Sequence, residues 1–315
     1  MNTYPLKFEP IYKERIWGAQ KLHTAFGKNL PIGQKIGESW ELADLPQDKS
    51  VISNGPWAGQ SIHEAISQFR EIITGCAEFP RPFPLLIKLL DAQDVLSVQV
   101  HPDAQACQRM GQGDPKTECW YVIEAEPGAC IYKGLKAGVT PESFAQAIQQ
   151  GTVEQCLVKL AVQPGECHFL PAGTPHAIGA GLLIAEIQLP SDTTYRVFDW
   201  NRRDDQGQAR ELHIEQALES IHFDASGDDL SVRSLGRLVD CDFFKVDKGH
   251  RIAGSQVLLS PGSMKTHLIL SGKGSYTAAP TEPVDFRAGD CLLIPSSYEG
   301  VMQLEEECEY LTITL

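Results

Sequence analysis

Aliphatic residues fill positions 85–90 and return at Val95, Leu96 and Val98, after which polar and apolar residues alternate through Val98-Gln99-Val100-His101-Pro102. Alternate side chains of an extended strand share a face, so Gln99 and His101 project together while Val98 and Val100 pack behind them. Pro102 removes a backbone donor as the ladder ends. The pattern predicts a buried strand with a polar pair at its tip. A second strand is predicted over 116–123, where aromatic and β-branched residues follow Lys116 and Glu118, which share one face. A third, over 182–189, is apolar except for Glu186 and Gln188. Two polar residues on one face of a core strand suggest a lined cavity.

The helical period is confined to a few places. Ser61 is a plausible N-cap for a helix carried by Ile62, Ala65, Ile66 and Phe69, with Glu64 completing a capping box. Thr140 caps a second, with Pro141 in its first turn and Gly151 at its end. Residues 214–221 show a short third stretch. The polar run 103–114 reads as a loop or short helix, and 201–207 as a charged loop. Pro80, Pro82 and Pro84 break the chain ahead of the strand leading to His101. From Gln163 to His176 a Pro-Gly turn, a short strand and a second tight turn follow one another, so that His176 begins a returning strand. His168, in mid-strand, reads as a packing histidine.

Residues 224–229 are the best linker candidate, and beyond about residue 230 the chain reads as all β. Strands are expected at 243–246, 256–259, 266–270, 291–295 and 310–315, with turns at Pro261-Gly262, Ser271-Gly272 and Ala288-Gly289. Gly289-x5-Pro295 echoes Gly165-x5-Pro171, a weak internal repeat. Where the first copy has His176 the second has Gly300, so the second copy is expected to carry no metal.

A chain of 315 residues predicts about two domains. The formal net charge of −14 argues against bulk attraction to nucleic acid or an anionic membrane. An anionic small substrate would need a local basic pocket. The 9 cysteines are odd in number, scattered and free of any C-x-x-C pair, as expected of reduced thiols in a cytosol. No signal-peptide h-region opens the chain and no apolar run approaches the roughly 20 residues that span a bilayer. The expectation is a cytoplasmic protein. Oligomeric state is not legible.

Taken singly, the candidate residues have bland readings beside the chemical ones. Gln99 and His101 could be half of a metal site or an unliganded strand end. Lys116 and Glu118 could be a surface pair, although a carboxylate opening a core strand needs a partner or a metal. Trp17 and Trp40, each beside charges and glycines, could line a pocket but more often cap a core. Arg196, among aromatics, could stack or clamp an anion.

Gly165-x5-Pro171-x-Gly173-x2-His176 is similar to the second cupin motif, and Gln99-x-His101 stands where the first has its histidine pair. Val98-Gln99-Val100-His101-Pro102, Lys116-Thr117-Glu118-Cys119-Trp120, Pro171-Ala172-Gly173-Thr174-Pro175-His176-Ala177 and the run from Glu186-Ile187-Gln188 to Arg196 occur in the order seen in type I mannose-6-phosphate isomerases. The chain resembles the short bacterial branch, from Arg15-Ile16-Trp17-Gly18 through the terminal strands. The resemblance implies a mainly β fold of two cupin-like β-sandwich or jelly-roll units with a small helical portion. Residues 1–229 would form a metal-binding catalytic domain with N-terminal strands and short helical insertions, and 230–315 a degenerate cupin-like domain without metal. It further implies that His101, Glu118 and His176 bind zinc, with Gln99 as a fourth or weaker ligand, and that Arg196 is the catalytic arginine. Pro115 stands where short relatives often have glycine, Ala180 replaces an asparagine of the cupin motif, and the family's histidine beside the lysine is absent.

Two imidazoles, a carboxylate and an amide leave room for substrate, as a catalytic zinc requires. Aldose–ketose exchange moves a proton between C1 and C2 through an enediol, which a Lewis acid on the sugar oxygens would favour. The expected reaction interconverts mannose 6-phosphate and fructose 6-phosphate, with Arg196 steadying the oxyanion or the phosphate and Lys116 or Glu186 shuttling protons. Lys88, Arg202 and Arg203 are loose phosphate candidates that read more readily as surface or structural charges. Two rivals share the motif. An iron(II) dioxygenase also uses two histidines and a carboxylate, but Gln99, Lys116 and Arg196 suit a polar phosphorylated substrate better. A non-catalytic sugar-phosphate-binding module would keep the pocket without turnover.

Overall fold

Strands buried on both faces must be covered by neighbours on both faces, and three such strands lie side by side here. Ile36–Leu42, Leu86–Ala92 and Leu182–Gln188 are buried at every position and adjoin one another in a six-stranded antiparallel sheet. The computed structural model describes residues 3–203, 207–224 and 233–315. In it, Ile11–Ala19 forms one edge of that first sheet, and Glu118–Ala125 and Cys167–Leu170 complete the other side. A second sheet, in the order Tyr195–Phe198, Val98–Val100, His176–Ile178, Cys130–Leu135, Leu157–Ala161, faces it across a core that includes Leu90, Trp120, Ile178 and Ile184. Together they make the first sandwich.

The opposite face of the first sheet is apolar too. Ile87, Leu89, Cys119, Tyr121, Ala185 and Ile187 alternate with the inward residues and pack on Val246, Leu268, Leu293, Leu311 and Ile313 of a third sheet. That sheet pairs with a four-stranded fourth, Gln256–Leu259, Gly300–Leu304, Lys273–Ala278 and Thr281–Arg287, to make a second sandwich filled by Tyr276, Phe286, Tyr298, Met302 and Tyr310. Two sandwiches thus stand back to back. The strand Leu6–Lys7 joins the third sheet beside Cys291–Ile294.

Helices cover what the sheets leave bare. Pro141–Gln150 and Ile214–Ser220 lie on the outer face of the second sheet, where Phe144, Ile148 and Ala217 meet Val98, Val100 and Ala177. Ile62–Thr74 has the capping box expected at Ser61 and Glu64 and ends at Gly75. The 103–114 run contains the helix Ala104–Met110, capped by Asp103. Among the described residues, no helix is long and apolar enough to cross a membrane.

The architecture is mainly β, as the sequence predicts. The aliphatic approach to His101 differs in one respect: it is two strands in two sheets. Leu86–Ala92 ends at a turn whose Gln93 and Asp94 N–H groups donate to the Trp17 carbonyl at 3.0 and 3.3 Å, and the chain crosses over before Val98–Val100 begins. The linker expected at 224–229 lies, past Asp224, outside the described residues, as does the boundary at 229/230.

Candidate metal centre and its cleft

Cross-strand register brings the candidate residues together. His176 pairs with Gln99 across antiparallel strands, and Gln99 pairs in turn with Arg196, so the three side chains form a row on one face of the second sheet. On the facing sheet Glu118 pairs with Gln188, and Trp120 with Glu186, which pairs with Lys88. The two rows meet inside the sandwich, where the Trp120 ring stands edge-on to His176 with centroids 5.2 Å apart.

His101, Glu118 and His176 form the only group of metal-competent side chains found among the described residues, their ligand atoms all within 4.8 Å of one another. Both His101 Nε2 and His176 Nε2 lie 3.5 Å from a Glu118 oxygen. Each ring is oriented from behind. His101 Nδ1–H donates to the Thr193 carbonyl and His176 Nδ1–H to the Thr174 carbonyl, both at 2.8 Å, which leaves the Nε2 lone pairs facing the carboxylate. Thr174 is held by the Pro171–Gly173 turn, where Gly173 takes φ +82° and a Cβ would fall 2.5 Å from the His222 ring. Gly173 N–H also donates to the His101 carbonyl at 2.8 Å, tying the two ligand-bearing segments together. Gln99 brings its amide to 3.4 Å from His176 Nε2.

Electrostatics favour a cation. Burial pushes His101 down to about 3, helped by the Lys116 charge, and burial likewise lowers His176, so both imidazoles are neutral donors near neutrality. Burial alone would raise Glu118, but the Lys116 charge holds it well below the usual carboxylate range. Neither buried Glu118 oxygen accepts a well-formed hydrogen bond. The closest positive charge is Lys116 Nζ, 2.8 Å from Oε2 and 3.1 Å from His101 Nε2. Lys116 and Glu118 are therefore a buried pair, not a surface one. A buried carboxylate short of hydrogen bonds, facing two neutral imidazoles of fixed tautomer, fits a divalent ion of borderline softness.

Beside the triad, and joined to it by Gln99 and Lys116, lies a cleft of about 380 Å³ whose lining includes the cations Arg15, Lys88, Lys116, Arg196 and Arg210 and the acids Glu38, Glu186 and Asp192. This is a local basic pocket in an acidic chain. Lys88 Nζ pairs with Glu186 Oε1 at 2.8 Å, and Trp120 Nε1–H donates to Glu186 Oε2 at 3.0 Å. Burial pushes Glu186 up against the pull of Lys88. On the next strand Glu38 accepts from Arg15 Nε at 2.8 Å and from Trp40 Nε1 at 2.6 Å. Burial would raise Glu38, yet Lys88 and Arg15 hold it below its ordinary value. Arg196 donates through Nε to Ser97 Oγ at 3.3 Å and through Nη1 to the Glu211 carbonyl at 2.8 Å. Burial and the neighbouring Arg210 charge lower it.

All seven site candidates of the sequence therefore meet in one sandwich. Of the loose phosphate candidates, Lys88 lines the cleft. Arg202 is structural, binding Asp199 and the Val95 carbonyl, and Arg203 donates to the Gly207 carbonyl at 2.8 Å. Trp40 is core and Trp17 is both core and cleft wall. His168 is buried beside Glu166, outside the triad. Sequence reasoning missed Arg15, Glu38 and Arg210 as cleft residues. The available signal was a charge two residues from a tryptophan in each of Arg15-Ile16-Trp17 and Glu38-Ser39-Trp40.

Comparison with known proteins adds the family. The model of the phosphomannose isomerase type I catalytic domain matches residues 6–126. A mannose-6-phosphate isomerase of Streptococcus mutans serotype c is 39% identical over 303 residues, covering 94% of each chain. The crystal structure of the mannose 6-phosphate isomerase from Bacillus subtilis superposes with a TM-score of 0.88 at 27% identity, covering 99% of this chain and 100% of that one. A mannose 6-phosphate isomerase solved with zinc and yttrium bound shares the fold, with a TM-score of 0.78 at 16% identity over 99% of each chain.

Proposed function

Because the chain belongs to the type I phosphomannose isomerases, a family of aldose–ketose isomerases, we propose that it interconverts mannose 6-phosphate and fructose 6-phosphate at the His101–Glu118–His176 site through an enediol. The observation that carries this reading is a three-donor metal site whose immediate neighbours, Gln99 and Lys116, line a cleft that also presents the cations Arg15, Lys88, Arg196 and Arg210. His101 Nε2, Glu118 and His176 Nε2 would hold a zinc ion, with Gln99 beside them as a further oxygen donor. Bound there, zinc would supply Lewis-acid stabilisation to the sugar oxygens.

The protein's own groups do the rest. The open-chain aldose lies with C1 and C2 near Lys116 and Gln99. The hydrogen on C2 leaves as a proton, its electron pair enters the enediol, a proton returns at C1, and the O2 hydrogen is exchanged for one on O1. Lys116 Nζ is the proton carrier we favour over Glu186, because both Glu186 oxygens already accept, one from Lys88 and one from Trp120. Glu186 then serves to anchor Lys88 in the cleft wall. Arg196, in register with Gln99, steadies the oxygen on which negative charge develops.

The test is a coupled assay for fructose 6-phosphate formation on metal-loaded and chelated protein. The expected result is turnover that disappears on chelation and returns with zinc. Turnover unaffected by complete metal removal, or none in either form, would overturn the reading.

A further inference from the structure

The segment Arg15-Ile16-Trp17-Gly18 has no place in the chemistry above, yet the fold goes to some length to aim it. Glu14 and Ala19 both pair with Ile36, so the four residues between them are looped out of the ladder as a bulge at the edge of the first sheet. A bulge of this kind redirects side chains. Two glycines allow it: a Cβ on Gly18 would fall 2.3 Å from Gly37 N, and one on Gly37 would fall 2.6 Å from both Arg15 Cβ and Trp17 Cζ3. The Trp17 carbonyl is pinned by the Gln93 and Asp94 amides, Ile16 turns outward, and Arg15 and Trp17 line the cleft.

We propose that Arg15 is the specificity residue that holds the phosphate of the sugar, selecting phosphorylated over unphosphorylated aldose; this rests on the isomerase reading above. The reacting carbons are C1 and C2 and the phosphate is on C6, so the phosphate must lie at the end of the cleft remote from the triad. Gln99 and Lys116 touch the triad, whereas Arg15 comes from the outer edge of the facing sheet. Of the cleft arginines, Arg210 is occupied by Asp199 through Nε and Nη2, and Arg196 stands beside Gln99. Arg15 meets Glu38 through Nε alone and the Glu14 carbonyl through Nη1, which leaves Nη2 without a protein partner among the described residues. Glu38, which also lines the cleft and is fixed by the Trp40 indole, holds the guanidinium through Nε and so sets the direction of its terminal nitrogens.

The experiment compares wild type with Arg15→Gln, which can still hydrogen-bond Glu38, and Arg15→Lys. It reads KM and kcat for mannose 6-phosphate, zinc content, and the affinity for inorganic phosphate by calorimetry. KM and the phosphate Kd are expected to rise together by about 10- to 100-fold in Arg15→Gln, as for loss of a charged hydrogen bond, with kcat within a few-fold and zinc unchanged. Arg15→Lys should fall between. Unchanged KM and phosphate affinity in a folded, zinc-loaded variant would overturn the inference, as would a loss confined to kcat. Phosphate binding is read without turnover, so a wild type that binds phosphate through Arg15 but does not isomerise would refute the proposed reaction and spare this assignment.

Discussion

The two sandwiches share a frame and differ in what fills it. Each has a larger inner sheet and a smaller outer one, and the repeated Gly-x5-Pro turn aligns their registers. Glu118 pairs with Leu170 in the first, and Lys265 with Ile294 in the second. Trp120 faces Glu186, which faces Lys88; the corresponding row is His267, Thr312 and Asp247. His176 pairs with Gln99, and Gly300 with Leu259. The metal-competent positions of the first unit thus become lysine and glycine in the second. Gly300 could not regain a histidine, because a Cβ there would lie 2.4 Å from Tyr298 Oη and 2.5 Å from the Thr277 carbonyl. The ring that blocks it belongs to the aromatic core of the second unit. One interior keeps buried charges and a cleft, both costly to stability unless every group is paired, and the other packs shut. The frame therefore does not dictate a site; the residues at a few inward positions do.

That contrast can be broken most directly at the triad. His101→Ala should abolish stoichiometric zinc and lower turnover on the order of 10³-fold or more, since Lewis-acid stabilisation of several kcal/mol is lost. Metal analysis beside the coupled assay checks this, and full activity with bound zinc would mean that the polar interior of the first unit has another purpose. Lys116→Met should leave zinc in place and reduce kcat about 10²- to 10⁴-fold, the range of a general acid–base group. An equal or larger loss in Glu186→Gln with Lys116→Met nearly normal would exchange their roles.

In the second unit the same kind of change should touch stability and not turnover. His267 Nδ1 and Tyr276 Oη are 2.7 Å apart in a fully buried pair. Tyr276→Phe strands the imidazole and should cost about 1–3 kcal/mol in urea unfolding, with kcat unchanged. A fall in kcat would show that the two interiors communicate. A further effect in this unit concerns pH. Burial pushes His267 from 6.5 down to about 3. Between those values the unfolded chain binds a proton that the folded one does not. The stability contributed by the neutral ring is therefore complete above about pH 6.5 and is lost as pH falls toward 3. His267→Gln, which keeps a polar partner for Tyr276 but cannot titrate, should flatten the acid limb of the urea midpoint by the equivalent of one proton. An identical limb would place that titration elsewhere.

Much of this was legible in one dimension wherever a residue's role depends on its neighbours in sequence. The caps at Ser61 and Thr140 and the turn that presents His176 are local events, and the structure has them where the sequence predicts them. The central strands Leu86–Ala92, Glu118–Ala125, Leu182–Gln188 and Cys291–Ile294 announced themselves by apolar runs. Central Ile36–Leu42 did not, because its inward positions include Glu38, Ser39 and Glu41, and neither did two edge strands: Ile11–Ala19 carries Lys13, Glu14 and Arg15, and Thr281–Arg287 carries Glu282, Pro283 and Asp285, the charges and proline that protect an open edge and erase the hydrophobic pattern.

The chain's letters, with the alternation of faces along each strand, determined which side chains could point inward together: Gln99 with His101, Lys116 with Glu118, Glu186 with Gln188. Only the tertiary structure decided which inward pairs would face one another, because register between strands from distant parts of the chain is set by the packing of both sheet faces at once. That register places Trp120 against His176 and Lys88 beside Glu186. It also brings Arg15 through a bulge to the cleft wall, where the sequence beside Trp17 marks a charge but not what that charge faces.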